Sequence, residues 1–229
     1  MPIHNPPAHL REFLGNMHEV NQLLGIHGNV VGQGPGRKRN VEVLNKSAIV
    51  LLVACWEAYV EDLAKTSLEF MIDKAPDHKV FPNNVLERVC SKNSGINAWN
   101  LAGTGWKTAL RNNLSEVLAK TVGNLNTPKT AQVNELFLKS VGHSKLSSCW
   151  SWRGRSEKDT SEALDSLVTL RNTIAHRVKH TKSVRKKHVV EAIDLVSRLA
   201  AKSNNEMSRF LHKLVGASPW NEVTYKGTG

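Results

Sequence analysis

Arg171, Asn172 and His176 stand together in the stretch Leu170-Arg171-Asn172-Thr173-Ile174-Ala175-His176. Histidine, with an ordinary pKa of about 6.5, can take or give a proton near neutral pH. Arginine keeps a planar cation with paired donors, which suits phosphate oxygens better than a lysine does. Asn172 can hold the imidazole or a phosphate oxygen. On a helix Asn172 and His176 lie about 40° apart and share a face. Arg171 and His176 lie about 140° apart, so Arg171 must curve round to join them. A compact site with two cations is easier to build if a second copy of the helix approaches the first. That points to a two-fold dimer, in which each residue meets its own symmetry mate.

Arg171 also breaks a pattern. The stripe Leu164, Leu167/Val168, Arg171, Ile174 and Val178 places it where a leucine or isoleucine is expected. One explanation is a snorkelling side chain with its stem packed and its head in water. The other is a cation inside the core, which costs several kcal/mol unless paired. Glu57, Glu61 and Asp62 are candidate partners, and Glu57 and Glu61 share a helix face at i, i+4. His176 has its own plain alternative, a helix-end histidine beside basic residues.

Charge agrees with a phosphate partner. Of 229 residues, 31 are Lys or Arg and 20 are Asp or Glu, a formal net charge of +11. Such an excess disfavours a pocket for cationic metabolites and favours a polyanion, nucleic acid before membrane surface. The basic residues Arg177, Lys179, Lys182, Arg185, Lys186 and Lys187 follow His176 without an intervening acid. A charge run is usually a solvated face, but this one continues from the motif and can track a phosphate backbone. Arg37-Lys38-Arg39 and Arg153-Gly154-Arg155 form smaller clusters. Trp150 and Trp152 lie beside the latter, where a base could stack, although packing of the connector is the commoner role for tryptophan.

Other signals fail. Cys55, Cys90 and Cys149 are odd in number and form no CxxC, so neither a disulfide framework nor a zinc ribbon is expected, and a reducing cytoplasm fits. His176 and His180 have i, i+4 spacing but no HExxH context, so no metal is expected. Gly32, Gly34 and Gly36 lack the strand that a dinucleotide site requires. Gly103-Thr104-Gly105-Trp106-Lys107 lacks phosphate-loop spacing. The longest apolar run, Ala48 to Trp56, is about half a membrane span. The N-terminal residues have no secretion-signal pattern.

The elements that must position the motif read as helices. Leu10, Phe13, Met17, Val20 and Leu24 form one face, which Gly25 is expected to stop. A long central helix is expected from about Arg37 to Lys74, apolar nearly all round and ended by Pro76. Residues 76–104 read as irregular, with a short helix near Val85–Cys90. Trp106 to Val122 form another helix, stopped by Gly123. Thr127-Pro128 is read as a helix start, with that helix running to Gly142. Asp159 and Glu162 read as a capping box for the motif helix. The last helix is expected from near Ser183, with the stripe Val189, Ile193, Val196, Ala200, Ser203, Met207, Phe210 and Leu214, and a frayed tail from Ala217. With 40% hydrophobic and 22% charged residues a real core is affordable. The expectation is one all-α domain over residues 1–229, a bundle of about six or seven helices with long central and C-terminal members.

The motif stretch resembles the RxxxxH motif of the HEPN superfamily, including the polar residue after the arginine. A closer resemblance is to the RiboL-PSP-HEPN group. It is carried by Trp56-Glu57-Ala58-Tyr59-Val60-Glu61-Asp62-Leu63, by Asn126-Thr127-Pro128 with Trp150-Ser151-Trp152, and by Ala163-Leu164-Asp165 leading into the motif, over about residues 40–180. The resemblance implies an all-helical HEPN-like fold and a homodimer whose RxxxxH helices meet. It also implies metal-independent RNA endonuclease activity without a cofactor, often within toxin–antitoxin or antiphage systems where an antitoxin or defence protein is a partner. Arg171, Asn172 and His176 match the motif positions. Glu57 and Glu61 either support the site or solvate a helix face. The chemistry expected is transesterification by the RNA's own 2′-hydroxyl. The alternative is a catalytically inactive HEPN module that binds RNA or protein; a basic DNA-binding protein lacks support because no helix-turn-helix signature is present.

Overall fold

A computed structural model describes residues 6–31, 42–121, 125–176 and 183–225. The Gly32–Gly36 run, the Arg37-Lys38-Arg39 cluster, Val122, Gly123, Val178 and His180 therefore lie outside the described residues. So do Arg177, Lys179 and Lys182 of the basic tract. The described residues form seven α-helices: α1 (Ala8–Val31), α2 (Glu42–Lys74), α3 (Asn83–Lys92), α4 (Gly105–Thr121), α5 (Thr130–Val141), α6 (Glu157–His176) and α7 (Lys186–Val215). Short 3-10 turns occupy His78–Val80, Gly95–Leu101 and Leu146–Cys149. No β-strand occurs among the described residues, and the bundle is all-α as expected.

α2 is the centre. Ile49, Leu52, Val53, Trp56, Val60, Leu63, Leu68 and Met71 are sealed from solvent on several of its faces. It packs against α1, α4, α5, α6 and α7, so one helix must be apolar nearly all round. Among the described residues it alone has the length and apolarity to cross a membrane; its place among five other helices accounts for that composition. It ends at Lys74, leaving Ala75 before Pro76, because a residue preceding proline is pushed out of the helical region. Tyr59 donates its hydroxyl to the Ala200 carbonyl at 2.7 Å and ties α2 to α7.

Several expected boundaries move, each for a physical reason. α1 runs through Gly25 to Val31. A lone interior glycine costs only about 1 kcal/mol relative to alanine, and Leu23 and Leu24 pack on the core beside it. The irregular 76–104 region holds a longer helix than expected, α3, whose buried Val85 and Val89 face the bundle. α5 starts at Thr130, two residues after Pro128. Its opening is set from α6: the Thr130 amide and hydroxyl both donate to Asp165 Oδ1, at 2.8 and 2.9 Å. α5 closes as expected on Gly142, whose φ of 82° lies in the left-handed region that glycine enters freely.

α6 opens three residues ahead of the expected capping box. The Asp159 amide donates to Ser156 Oγ at 3.1 Å, and that hydroxyl donates to Asp159 Oδ2 at 2.6 Å. The pair therefore has the i, i+3 spacing expected of Asp159 and Glu162, shifted to Ser156 and Asp159. α7 begins at Lys186 rather than near Ser183, because Val184 is held on α2: its amide donates to Glu42 Oε1 at 3.3 Å and its carbonyl accepts from Asn45 Nδ2 at 2.9 Å.

The tail is not frayed up to Tyr225. Trp220 Nε1 donates to the Asn204 carbonyl at 3.0 Å, Ser208 Oγ donates to the Trp220 carbonyl at 2.7 Å, and Asn205 brackets Val223 with two bonds of 2.8 Å. Val223 is buried against the bundle. Polar residues of α7 thus give the tail backbone the partners that a frayed end would have found in water.

Candidate functional site

α2 and α6 build the site with the connector before α5. On α2 the residues Val43, Ser47, Val50, Ala54 and Glu57 follow a 4, 3, 4, 3 spacing and share one face. That face carries small side chains at its centre and leaves space in front of it. An open groove of about 520 Å³ lies there, lined by Val50, Ala54 and Glu57 of α2, Asn126 and Thr127 of the connector, and Arg171, Asn172, Ala175 and His176 of α6. The three motif residues therefore line one cavity, despite the angle between Arg171 and His176 around the helix.

Arg171 resolves its two sequence-based alternatives by taking a middle course. Its Nη2 donates to Glu57 Oε2 at 2.8 Å, with the two side chains 20% and 25% exposed. The stem packs and the head is paired at the groove wall. Burial pushes the Glu57 carboxyl above its ordinary range, and the Arg171 charge pulls it back. One of the five guanidinium N–H groups serves this bond, which leaves donors for a phosphate. His176 is exposed at the end of α6, and Asn172 is half-buried between it and Arg171.

Glu61 lies one turn beyond Glu57 and is not among the groove residues. Burial, then the charges of Glu57 and Asp62, push its carboxyl up to about 7. Asp62 is also raised, first by burial, and Arg171 bonds to Glu57, not to it. Of the basic tract, Arg185, Lys186 and Lys187 are exposed where α7 begins, and Lys187 stands 3.6 Å from Glu191. Val184 fixes this start to the Glu42 end of α2. Trp150 is sealed in the core, donating to Ser203 Oγ at 2.9 Å and packing edge-on to Trp56, so no base can stack on it. Trp152 is half-buried with Arg155 and Arg198 over its ring, the packing role.

Sequence reasoning missed Asn126 and Thr127 as groove residues. The signal was present, since Asn126-Thr127-Pro128 stood out in the sequence, but it read as a helix start. It also missed a second groove of about 460 Å³ along Val43, Lys46, Ser47, Val50, Leu51, Ala54 and Ile174, which shares Val50 and Ala54 with the first. Val43 is 66% exposed there. Among the described residues no three His, Cys, Asp or Glu side chains gather as a metal site.

The family model for RiboL-PSP-HEPN matches residues 16–209. The chain belongs to the RiboL-PSP-HEPN family. Comparison with curated proteins and with solved structures returned no match. The HEPN match is wider than the stretch of about 40–180 that carried the resemblance, running from within α1 to within α7, and it contains every residue of the motif groove. HEPN membership suggests an RNase-type or RNA-binding module. In this HEPN domain the RxxxxH residues belong to an open groove, with the arginine braced by the glutamate of the upstream helix.

Proposed function

We propose that this HEPN protein is a metal-independent RNA endonuclease acting as a homodimer. The observation that carries this is the common groove of Arg171, Asn172 and His176, open to solvent and continuous with an apolar face. Val43, Leu51 and Ile174 on that face suit a second copy, which would bring two imidazoles and two guanidinium groups to one ribose-phosphate link. One imidazole takes the 2′-hydroxyl proton as the 2′-oxygen forms its bond to phosphorus. The bond from phosphorus to the 5′-oxygen breaks, and the second imidazole returns a proton to that oxygen. The products are a 2′,3′-cyclic phosphate and a 5′-hydroxyl. Arg171 offsets the charge of the phosphorane, and fixed charges of this kind are usually the largest catalytic contribution. Arg185, Lys186 and Lys187, with Arg177, Lys179 and Lys182, supply phosphate contacts along the strand.

A toxin or antiphage effector in the cytoplasm, restrained by an antitoxin or a defence partner, fits this activity. The deciding experiment expresses wild type beside His176→Ala and scores RNA integrity and growth. Wild type should cut RNA in EDTA and leave 2′,3′-cyclic ends, while the variant should lose roughly 10²–10⁴-fold of the activity. Equal behaviour of the two would reassign the protein as a binding module. Val43→Lys, tested by sedimentation, should weaken the dimer and lower cutting without unfolding the chain.

A further inference from the structure

The groove is lined by unlike elements. α6 presents the cationic and proton-transferring groups, α2 presents Val50, Ala54 and Glu57, and the connector presents Asn126 and Thr127, which carry no charge. Asn126 is exposed and Thr127 half-buried, and neither side chain makes a hydrogen bond among the described residues. The backbone that bears them is nevertheless fixed at several points. Leu125 is buried in the core. The Pro128 carbonyl accepts from Trp56 Nε1 at 3.1 Å. The Lys129 amide donates to the Thr127 carbonyl at 2.7 Å. Just beyond, Asp165 holds Thr130. Trp56 adjoins Glu57 on α2, and Asp165 precedes Arg171 on α6 by less than two turns. The same two helices that set the Glu57–Arg171 pair therefore set the height of Asn126 over the groove.

We infer that Asn126, assisted by Thr127, forms a base-reading subsite for the nucleotide beside the scissile phosphate. This rests on the ribonuclease function proposed above. A carboxamide offers a donor pair and an acceptor side by side; a nucleobase edge can engage both, whereas a phosphate, which only accepts, engages the donors alone. The braced backbone loses little freedom when a base pairs with this amide, so the ordering cost is confined to the Asn126 side chain. In duplex RNA the Watson–Crick edges are paired and the major groove is too deep and narrow to read, so the substrate class we infer is single-stranded RNA or a loop. Phosphate recognition falls to α6, so that positioning and sequence choice are divided between α6 and the connector.

The test uses the full-length chain carrying His176→Ala, so that bound RNA stays intact. Binding of fluorescent oligo(A), oligo(C), oligo(G) and oligo(U) is followed by anisotropy. The His176→Ala protein should favour one of the four by roughly five- to hundredfold, the range of one bidentate base contact. Adding Asn126→Ala should shrink that preference to within about twofold and leave the weakest-bound oligomer unchanged. Thr127→Val should have a smaller effect of the same sign. Equal binding of all four, no binding, a preference that Asn126→Ala leaves intact, or a uniform loss across all four would each overturn the subsite. The uniform loss would mark a phosphate or dimer contact instead. Cutting of the same oligomers by wild type is scored separately. An Asn126-dependent base preference without cutting would defeat the ribonuclease function and leave Asn126 as a base-binding residue of an RNA-binding module.

Discussion

Arg171 of α6 and Glu57 of α2 meet at 2.8 Å on the wall of the motif groove, each side chain only partly open to water. The bond orients the guanidinium and stands between α2 and α6. In the proposed reaction a phosphate would be held by the donors that Glu57 does not use. A carboxylate tether of this kind holds the cation at the groove, the pre-organisation that the proposed electrostatic catalysis would require.

Glu57→Gln keeps the shape and removes the charge. It should lower stability by up to about 1.5–3 kcal/mol, the range for a hydrogen bond to a charged group, measured by urea unfolding. RNA cutting should fall through kcat more than KM, because Arg171 is then loosely aimed. A variant as stable and as active as wild type would show the pair to be incidental.

Trp56→Phe retains an aromatic ring in the core but deletes the donor to the Pro128 carbonyl. The lost bond and the space left behind should cost about 2–4 kcal/mol. Hydrogen exchange at Leu125–Thr130 should speed up selectively, since the connector loses its tie to α2. Acceleration confined to α2 would contradict that assignment.

Glu61 gives a signed pH dependence. Its ordinary value is 4.5 and the fold raises it to about 7, first by burial and then by the charges of Glu57 and Asp62. The native state therefore binds more protons than the unfolded chain between those values. The stability due to neutral Glu61 is full below about 4.5 and is lost as pH rises through 7. Glu61→Gln stays neutral throughout. Its Tm should exceed that of wild type by more at pH 8 than at pH 5.5; a gap that does not change with pH would place the titration elsewhere.

His9 has the opposite sign. It is 1% exposed, its Nε2 lies 2.9 Å from Asn204 Oδ1, and its ring meets Trp220 edge-on at 4.6 Å. Burial lowers its pKa from 6.5 to about 4, against the raising effect of the Asn204 bond. Stability from neutral His9 is present above 6.5 and lost as pH falls through 4. Between pH 7 and pH 4.5, wild type should lose more stability than His9→Gln, with proteolysis opening first at the tail around Trp220. Equal acid sensitivity of the two proteins would exclude His9 as the cause.

The helices were legible because periodicity is a relation among neighbours in the chain. The stripe of α7 from Val189 to Met207 is buried as its spacing foretold, and the apolar circumference of α2 is matched by helices around it. The ends were less legible because caps come from afar. Asp165 opens α5 across 35 positions, and Val184 delays α7 by bonding to α2 across 139. The tail looked frayed for the same reason: its partners are on α7, not beside it.

The site divides in the same way. Residue types and the RxxxxH spacing placed Arg171, Asn172 and His176 on one helix and named Glu57 among the acids that could answer the arginine. Choosing Glu57 over Glu61 and Asp62 depends on which face of α2 turns toward α6, and the pair spans 114 positions. Asn126 joins them through the Trp56–Pro128 bond, across 72. Local spacing fixes which side chains share a helix face, since a helix is built from contacts three and four residues apart. Which faces then meet is set by how the whole core closes around α2, and no local pattern carries that information.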